Sequence, residues 1–465
     1  MKKTWLSSIL LFWTLLLSTA DFAQQKNEFS VKQCVEYANN NAIPVLNALI
    51  DVDIQRQQNR QITSAALPQI SGSISGNHYF NIPIQPIPDF VNYKVYDALE
   101  KNGVKDGSGR AITNPGNFPT LPFSISSPWN ASASIDVQQL LFDGQVFVGL
   151  IARKVVLDYQ SKVTEVTSEQ IKANVYKIYY QLVIGKKQLF SLDANILRFD
   201  KLLHDTKEIF KNGFAEKLDV DKVTVQLSNI RTERDKIEHS LAAGNAGLKF
   251  LMNMPQKVEL VLTDTLSEAD LKSGILEENY SYKDRKEMQM LEIAEKLGGY
   301  NVRRYKLSKI PTLAAFASYS KNAQRTSFNF FNKGNWYSTS LAGVKISIPI
   351  FDGNLRNAHI QQAKYELKKM RNMIALLKEN IDYDVEHARI NMKNALITID
   401  NQKQNIELAE KVYRTTKKKY EQGLGSNQEI YFAETELKVA QTNYYSALYD
   451  AINAKIDYLK AVGKL

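Results

Sequence analysis

The chain is written twice, and this duplication limits its fold more than any other feature of the sequence. Leu141-Phe142-Asp143-Gly144 recurs as Ile350-Phe351-Asp352-Gly353, an offset of 209 residues. Downstream, the stretch TKEIFKNG ending at Gly213 matches TKKKYEQG ending at Gly423, an offset of 210. The two copies therefore keep step over a long tract. Upstream, Leu67-Pro68 and Ile310-Pro311 each introduce an alternating segment, here at an offset of 243, so the surplus must sit in a longer first loop.

Between Phe142 and Gly213 apolar residues recur with spacings of four and three at Ile171, Val175, Ile178 and Leu182, then at Leu189, Leu192, Ile196, Phe199 and Leu203. That is a coiled-coil seam. The second copy repeats it at Ile381, Val385, Ala388, Met392, Ala395, Ile399, Ile406, Ala409, Tyr413 and Tyr420. Gly213, and Gly423 with Gly425, mark the ends of the outgoing helices, where the chain should turn. Returning helices follow, giving helices over 145–212 and 215–253 in the first copy and 354–422 and 425–463 in the second. At 1.5 Å per residue each outgoing helix is about 100 Å long. No compact globular domain needs such a rod.

The other end of each rod lies at Gly144 and Gly353, preceded by Asp143 and Asp352 at strand-to-helix junctions, where an N-cap is the simplest role. Before these junctions Trp129, Ala131, Ala133, Ile135 and Val137 alternate on one face. In the second copy Tyr337, Thr339, Leu341, Val344, Ile346 and Ile348 alternate with one phase slip near Gly343. Such alternation reads as strands. Their partners are 70–80 and 312–320, making hairpins over 67–141 and 311–351. Aromatic residues gather at the strand ends (Tyr79, Phe80, Trp129, Tyr319, Phe328, Phe330, Phe331, Trp336, Tyr337) as an interfacial girdle would require.

The remaining segments fill in the plan. The loop from Asn81 to Pro128 holds seven of the twelve prolines and a short amphipathic helix near Phe90 to Glu100. A linker over 255–279 separates repeats at 24–254 and 280–465, with a strand over 258–263. Each repeat opens with a further helix, 30–65 and 280–309, the first kinked at Pro44.

Lys2 and Lys3, an apolar run from Trp5 to Leu17 and small residues at Ser18, Thr19 and Ala20 predict a signal peptide within 1–23, cleaved after residue 20 or 23. No later run of apolar residues is long enough for a helical membrane span, whereas barrel strands escape such a search. A single cysteine, Cys34, excludes a disulfide framework, and five scattered histidines offer no metal motif. The net charge of +10 falls to +8 without residues 1–20, and it is spread along helices, so no nucleic-acid partner is expected. No catalytic set, cofactor or metal is implied. The acids Asp219, Asp221, Asp382, Asp384 and Glu386 read as helix-surface charges, and the chain is not expected to be an enzyme.

Four strands per chain cannot close around water, and hydrocarbon does not tolerate an open edge, so a barrel would need several copies. Three copies give twelve strands and four give sixteen. Taken together, the proline-entered hairpins, the paired Phe-Asp-Gly junctions, the turn glycines and the LKFLMNMP ending of the first half resemble the TolC-like outer membrane factor family over essentially the whole mature chain. The resemblance implies a mainly α fold with β. The protein would be a homotrimer with a twelve-stranded barrel among outer membrane lipid, continued by antiparallel coiled coils as a periplasmic α-barrel of a Gram-negative bacterium.

It also implies a passive exit duct in a tripartite efflux pump, with a periplasmic adaptor (membrane fusion) protein and an inner-membrane RND or ABC transporter as partners. Alternatives are the exit duct of a type I protein secretion system and, from another class, an exported coiled-coil adhesin or scaffold. By the same resemblance Asp219, Tyr420 and Glu429 are gate positions, and Gly213, Gly423 and Gly425 meet the adaptor. A ring of like acids would polarise an opening; for Glu429 the plainer role is a helix N-terminal acid. Two positions depart from the family pattern: Gly425 replaces a basic gate residue and Phe432 a second ring acid.

Overall fold

The computed structural model describes residues 27–117, 119–124, 126–265, 271, 280–332 and 334–465. The expected signal peptide lies outside them, as does most of the second half of the 255–279 linker. The chain divides into two compact units, one made of the chain up to Gln58 with Ala152–Val302 and Gln361–Leu465, the other of Asn59–Ile151 and Arg303–Ile360. Among the described residues no helix is long and apolar enough to cross a membrane.

The first unit is helical. Strand β1 (Asn27–Phe29) leads into α1 (Val31–Asn41), whose start is a capping box: Ser30 Oγ accepts from the Gln33 amide and Gln33 Oε1 from the Ser30 amide. The kink expected at Pro44 is instead a full break. Ala42 is extended and α2 (Ile43–Ser64) begins afresh, which puts Pro44 in a first turn where its missing N–H removes no hydrogen bond. The long helix α4 (Gly144–Lys211) enters this unit and returns as α5 (Lys217–Leu251). The second copy does the same with α7 (Leu355–Glu421) and α8 (Asn427–Ala461), preceded by α6 (Lys286–Leu307).

The seam residues carry the core. Ile171, Val175, Leu182, Leu192 and Phe199 are buried on α4, and Ile381, Val385, Ala388, Met392 and Ile399 on α7. Near the start of the chain, Tyr179 is fully buried; its hydroxyl donates to the Phe29 carbonyl at 3.0 Å and accepts from the Asp264 amide at 3.1 Å. Beside it β1 pairs in parallel with β6 (Leu260–Leu262), the shortened form of the strand expected over 258–263. Cys34 sits in the same cluster, where burial pushes its thiol up to about 12. Gly185, in the middle of α4, marks a close approach. A Cβ there would meet Leu241 of α5 at 2.7 Å, while Gly244 of α5 receives Leu182 in return.

The second unit is built on a four-stranded sheet in the order β2 (Gln69–His78), β5 (Trp129–Phe142), β7 (Thr312–Arg325) and β8 (Tyr337–Ser347), with every neighbouring pair antiparallel. The central β5–β7 pairing joins the two sequence repeats. Between β2 and β5 the long loop forms β3 (Ile84–Pro88), α3 (Phe90–Lys101) and β4 (Thr120–Ser124), with β3 and β4 paired to each other. Asp89 caps α3 by accepting from the Asn92 amide.

The phase slip expected near Gly343 is not there. Register runs unbroken from Thr312↔Ser347 to Asn322↔Tyr337, so Tyr337, Thr339 and Leu341 lie on the face opposite Val344 and Ile346. The irregularity falls instead between Leu140 and Phe142, against β7.

Candidate functional site

Antiparallel partners share a face, so the pairings sort the side chains of the sheet in the second unit. One face carries Ser71, Ser73, Ser75 and Asn77 of β2; Asn130, Ser132, Ser134, Asp136 and Gln138 of β5; Ser318, Ser320, Asn322 and Gln324 of β7; and Thr339 of β8. These groups bond among themselves. Ser73 and Ser134 hydroxyls are 2.8 Å apart, and Ser134 Oγ donates to Asp136 Oδ2 at 2.8 Å.

The opposite face carries Ile70, Ile74, Ile135, Val137, Ala315, Ala317, Val344 and Ile346, with Tyr319, Lys321, Ser338 and Ser340 toward its loop end. Its large residues are bare, with Ile74 at 90% exposure, Ile70 at 72% and Ile346 at 63%. A soluble half-buried sheet would cover this face and leave the serines to water. At the loop end of the strands the aromatic residues cluster. His78 and Trp129 ring centroids are 4.2 Å apart, Trp129 and Phe328 5.1 Å, and Phe328 and Phe330 5.6 Å.

The strand-to-helix junctions differ between the copies. Asp143 Oδ1 accepts from the Gln145 amide at 2.7 Å and the Val146 amide at 3.2 Å, an N-cap on α4, and Gly144 leaves room for Leu307, which a Cβ would meet at 2.7 Å. At the second junction Gly353 and Asn354 both take positive φ, +62° and +72°, and the helix starts two residues later than in the first copy. Asp352 there accepts from Arg356, through its amide at 3.2 Å and its guanidinium at 2.7 Å.

In the helical unit the two hairpin turns are built alike. Gly213 and Gly423 have φ of +79° and +73°. The Gly213 amide donates to Phe210 O and the Phe214 amide to Ile209 O; Gly423 donates to Tyr420 O and Leu424 to Lys419 O. This is a Schellman ending, repeated at an offset of 210, and only glycine takes its left-handed residue without a Cβ penalty. Gly425 serves differently, since a Cβ there would stand 3.1 Å from the Tyr420 amide nitrogen.

The predicted gate positions do not form one cluster within the chain. Asp219 accepts from the Glu216 amide at 3.2 Å and lines a cleft of about 220 Å³ with Lys222, Asn427 and Phe432. Tyr420 donates to Asn427 Oδ1 at 2.7 Å, and Thr206 approaches the same oxygen at 3.3 Å. Burial, reinforced by Asp205, pushes the Tyr420 hydroxyl up. Glu429 stands apart, exposed in the first turn of α8 behind the Ser426 cap.

A buried polar ladder that sequence reasoning missed ties the first copy to the second. Ser191 and Asn195 of α4 donate to Gln441 Oε1 of α8 at 2.8 and 2.9 Å, and Arg198 bonds Asn195 and faces Glu434. The signal was available. Ile430, Glu434, Leu437 and Gln441 follow the seam spacing of α8, with an acid and an amide at positions where the rule expects apolar residues.

The outer membrane efflux protein family profile matches residues 281–464 of the chain. The chain is 19% identical over 299 residues to the proteases secretion protein PrtF of Dickeya chrysanthemi, covering 63% of each, so the match spans less than two thirds of that relative's length. It is 20% identical over 345 residues to the outer membrane protein TolC of Vibrio cholerae, covering 72% of this chain and 77% of TolC. Among solved structures it is similar to CusC, with a TM-score of 0.74 and 17% identity over 93% of this chain and 92% of that one. The mainly helical fold with strands is thus the fold of these channels.

Proposed function

We propose that this chain is a TolC-like outer membrane factor: a passive exit duct in the cell outer membrane, a homotrimer that carries small molecules outward from an inner-membrane transporter. The observation that carries the reading is the sheet with one polar face and one bare apolar face. Lipid covers the apolar face and water the polar one, the in-out alternation of a membrane barrel. Strands β2 and β8 are the two edges of the sheet, and in hydrocarbon both must be paired. A neighbouring copy pairs them; three copies close twelve strands.

The helices support the same closure. Leu376, Tyr383, Ile390 and Ile397 of α7 are exposed at a strict seven-residue spacing, a second seam besides the buried one. In the ring it packs against the next copy, and α4, α5, α7 and α8 form the periplasmic tunnel. The repeats 24–254 and 280–465 then act as two similar wall segments joined by the 255–279 linker. At the hairpin tips Asp219, Tyr420 and Glu429 serve the gate, and Gly213, Gly423 and Gly425 shape the turns that a periplasmic adaptor protein meets. An RND or ABC transporter supplies the driving force, and the chain itself performs no chemistry.

The test is single-channel recording of the purified protein in planar bilayers, with a heat-sensitive oligomer band on a gel. Discrete conductance steps from an oligomer are expected. A soluble monomer without affinity for detergent would end the reading. The names of PrtF and of AprF, an alkaline protease secretion protein of Pseudomonas aeruginosa, favour a second reading as the exit duct of a type I protein secretion system. Crosslinking in cells decides between them by whether the captured transporter is proton-driven or ATP-driven.

A further inference from the structure

One large aromatic side chain stands on the polar face of the sheet away from the strand ends. Phe316 of β7 is paired with Gly343 of β8 and with Gln138 of β5, so its ring rises on the face of the serines. The ring then lies across β8. A Cβ at Gly343 would meet Phe316 Cζ at 2.8 Å and Cε1 at 3.1 Å, closer than carbon atoms tolerate, so the missing side chain at Gly343 is what lets the ring rest against the sheet. Even so Phe316 remains 40% exposed, and Leu341, two residues along β8 on the same face, is 51% exposed. Toward the loop end this face is lined by hydroxyls, amides and Asp136, and Phe316 and Leu341 interrupt it, with the smaller apolar Ala314 and the half-buried Leu140 nearer the Thr312 end.

We propose that Phe316, with Leu341 beside it, forms an apolar collar inside the barrel that sets how bulky a solute passes, and that Gly343 is the recess that holds the ring back against the wall. The inference rests on the trimeric duct reading, because threefold symmetry turns one ring into three at the same level. A bare apolar constriction in a polar conduit retards hydrated bulky solutes and offers a flat apolar one a resting surface. The competing role is local: an aromatic ring laid over a strand glycine shields its backbone and stabilises the sheet. The two roles separate, since a shield acts on stability alone.

The experiment uses the full chain in intact cells, with Cys34→Ala to remove the native thiol and Ala314→Cys as reporter. Ala314 is on the same face as Phe316, two residues nearer the Thr312 end, so a bulky maleimide entering from the loop end must pass the collar. Phe316→Ala should speed labelling of that cysteine and Phe316→Trp should slow it. Gly343→Ala should slow it by lifting the ring from its recess, and should have no effect once Phe316 is alanine.

Equal slowing by Gly343→Ala with and without the ring would overturn the proposal. So would an unchanged rate in Phe316→Ala together with a less heat-stable oligomer. Two controls guard the premise. Ser132→Cys, on the polar face at the loop side of Phe316, should label at one rate in all backgrounds and faster than Ala133→Cys on the apolar face. If it labels no faster than Ala133→Cys, the duct reading fails, and the collar with it.

Discussion

Arg198 Nε stands 3.6 Å from a carboxylate oxygen of Glu434, inside the contact between α4 and α8, and neither atom has a hydrogen-bond partner. Glu434 is only 4% exposed, and the groups facing it are Arg198 from α4 with Tyr413 and Lys417 from α7. Burial pushes its carboxyl up to about 7 from 4.5, although Arg198, Tyr413 and Lys417 each pull it down. At that distance the attraction offsets only part of the desolvation.

A carboxyl raised in the folded state binds its proton more tightly there than in the unfolded chain, so its stabilising contribution is complete below pH 4.5 and is lost as pH rises through about 7. Glu434→Gln should therefore flatten the fall in stability between pH 5 and pH 8. At pH 8 it should raise stability by roughly 2–3 kcal/mol per protomer. Oligomer dissociation temperatures of both proteins across that range check this; parallel pH slopes would refute it.

The two faces of the sheet make opposite predictions for neighbouring residues. Ile74 lies in the middle of β2 on the apolar face and Ser73 on the polar one. A lysine on the lipid face near the bilayer midplane costs about 2–4 kcal/mol. Ile74→Lys should lower the yield of assembled oligomer in outer membrane fractions, whereas Ser73→Lys should assemble normally and shift the channel toward anions.

At the turns, Gly423→Ala places a Cβ on a residue at φ +73°, a strain of roughly 1–2 kcal/mol. The loss should be local, with faster hydrogen exchange at the Leu424 amide, which closes the Schellman ending. Gly213→Ala should do the same at Phe214. Uniform loss of protection along α7 would contradict this.

Glu429 presents an exposed carboxylate in the first turn of α8. If three copies surround the opening, Glu429→Lys reverses a ring of charge there. Reversal potentials under a salt gradient should show reduced cation preference; unchanged selectivity would remove Glu429 from the gate.

Much of this was legible from spacing alone. Ile171, Val175, Leu182, Leu192 and Phe199 of the seam and Ile381, Val385, Ala388, Met392 and Ile399 of its copy are buried as a heptad rule requires, Ile178, Leu189, Ile196 and Ala395 are half-buried, and the turn glycines fall where the helices stop. What escaped depends on pairings between distant segments. Alternation within β7 puts Phe316 on the face of Ser318 and Ser320, but only the register of β8 against β7 sets Leu341 beside Ser318; within β8 by itself, the change of parity around Gly343 reads as a slip. The duplication also misled at one junction. Asp352 has the same neighbours as Asp143, yet Gly353 and Asn354 at positive φ delay the second helix by two residues. Counting apolar residues likewise passes over Glu434 and Gln441, because a polar side chain on a seam leaves a gap in the pattern.

The short parallel pairing of β1 with β6 has a consequence in time. It is reinforced by the Val31 amide donating to Asp264, a contact between residues 233 apart in the chain. Closing so large a loop is entropically slow, whereas α4 and α5 form from neighbours. A polypeptide that emerges with its amino end first therefore holds its leading strand single until both long helices of the first hairpin have followed. Docking of that strand is a late event in maturation, after the long helices of the first copy have formed.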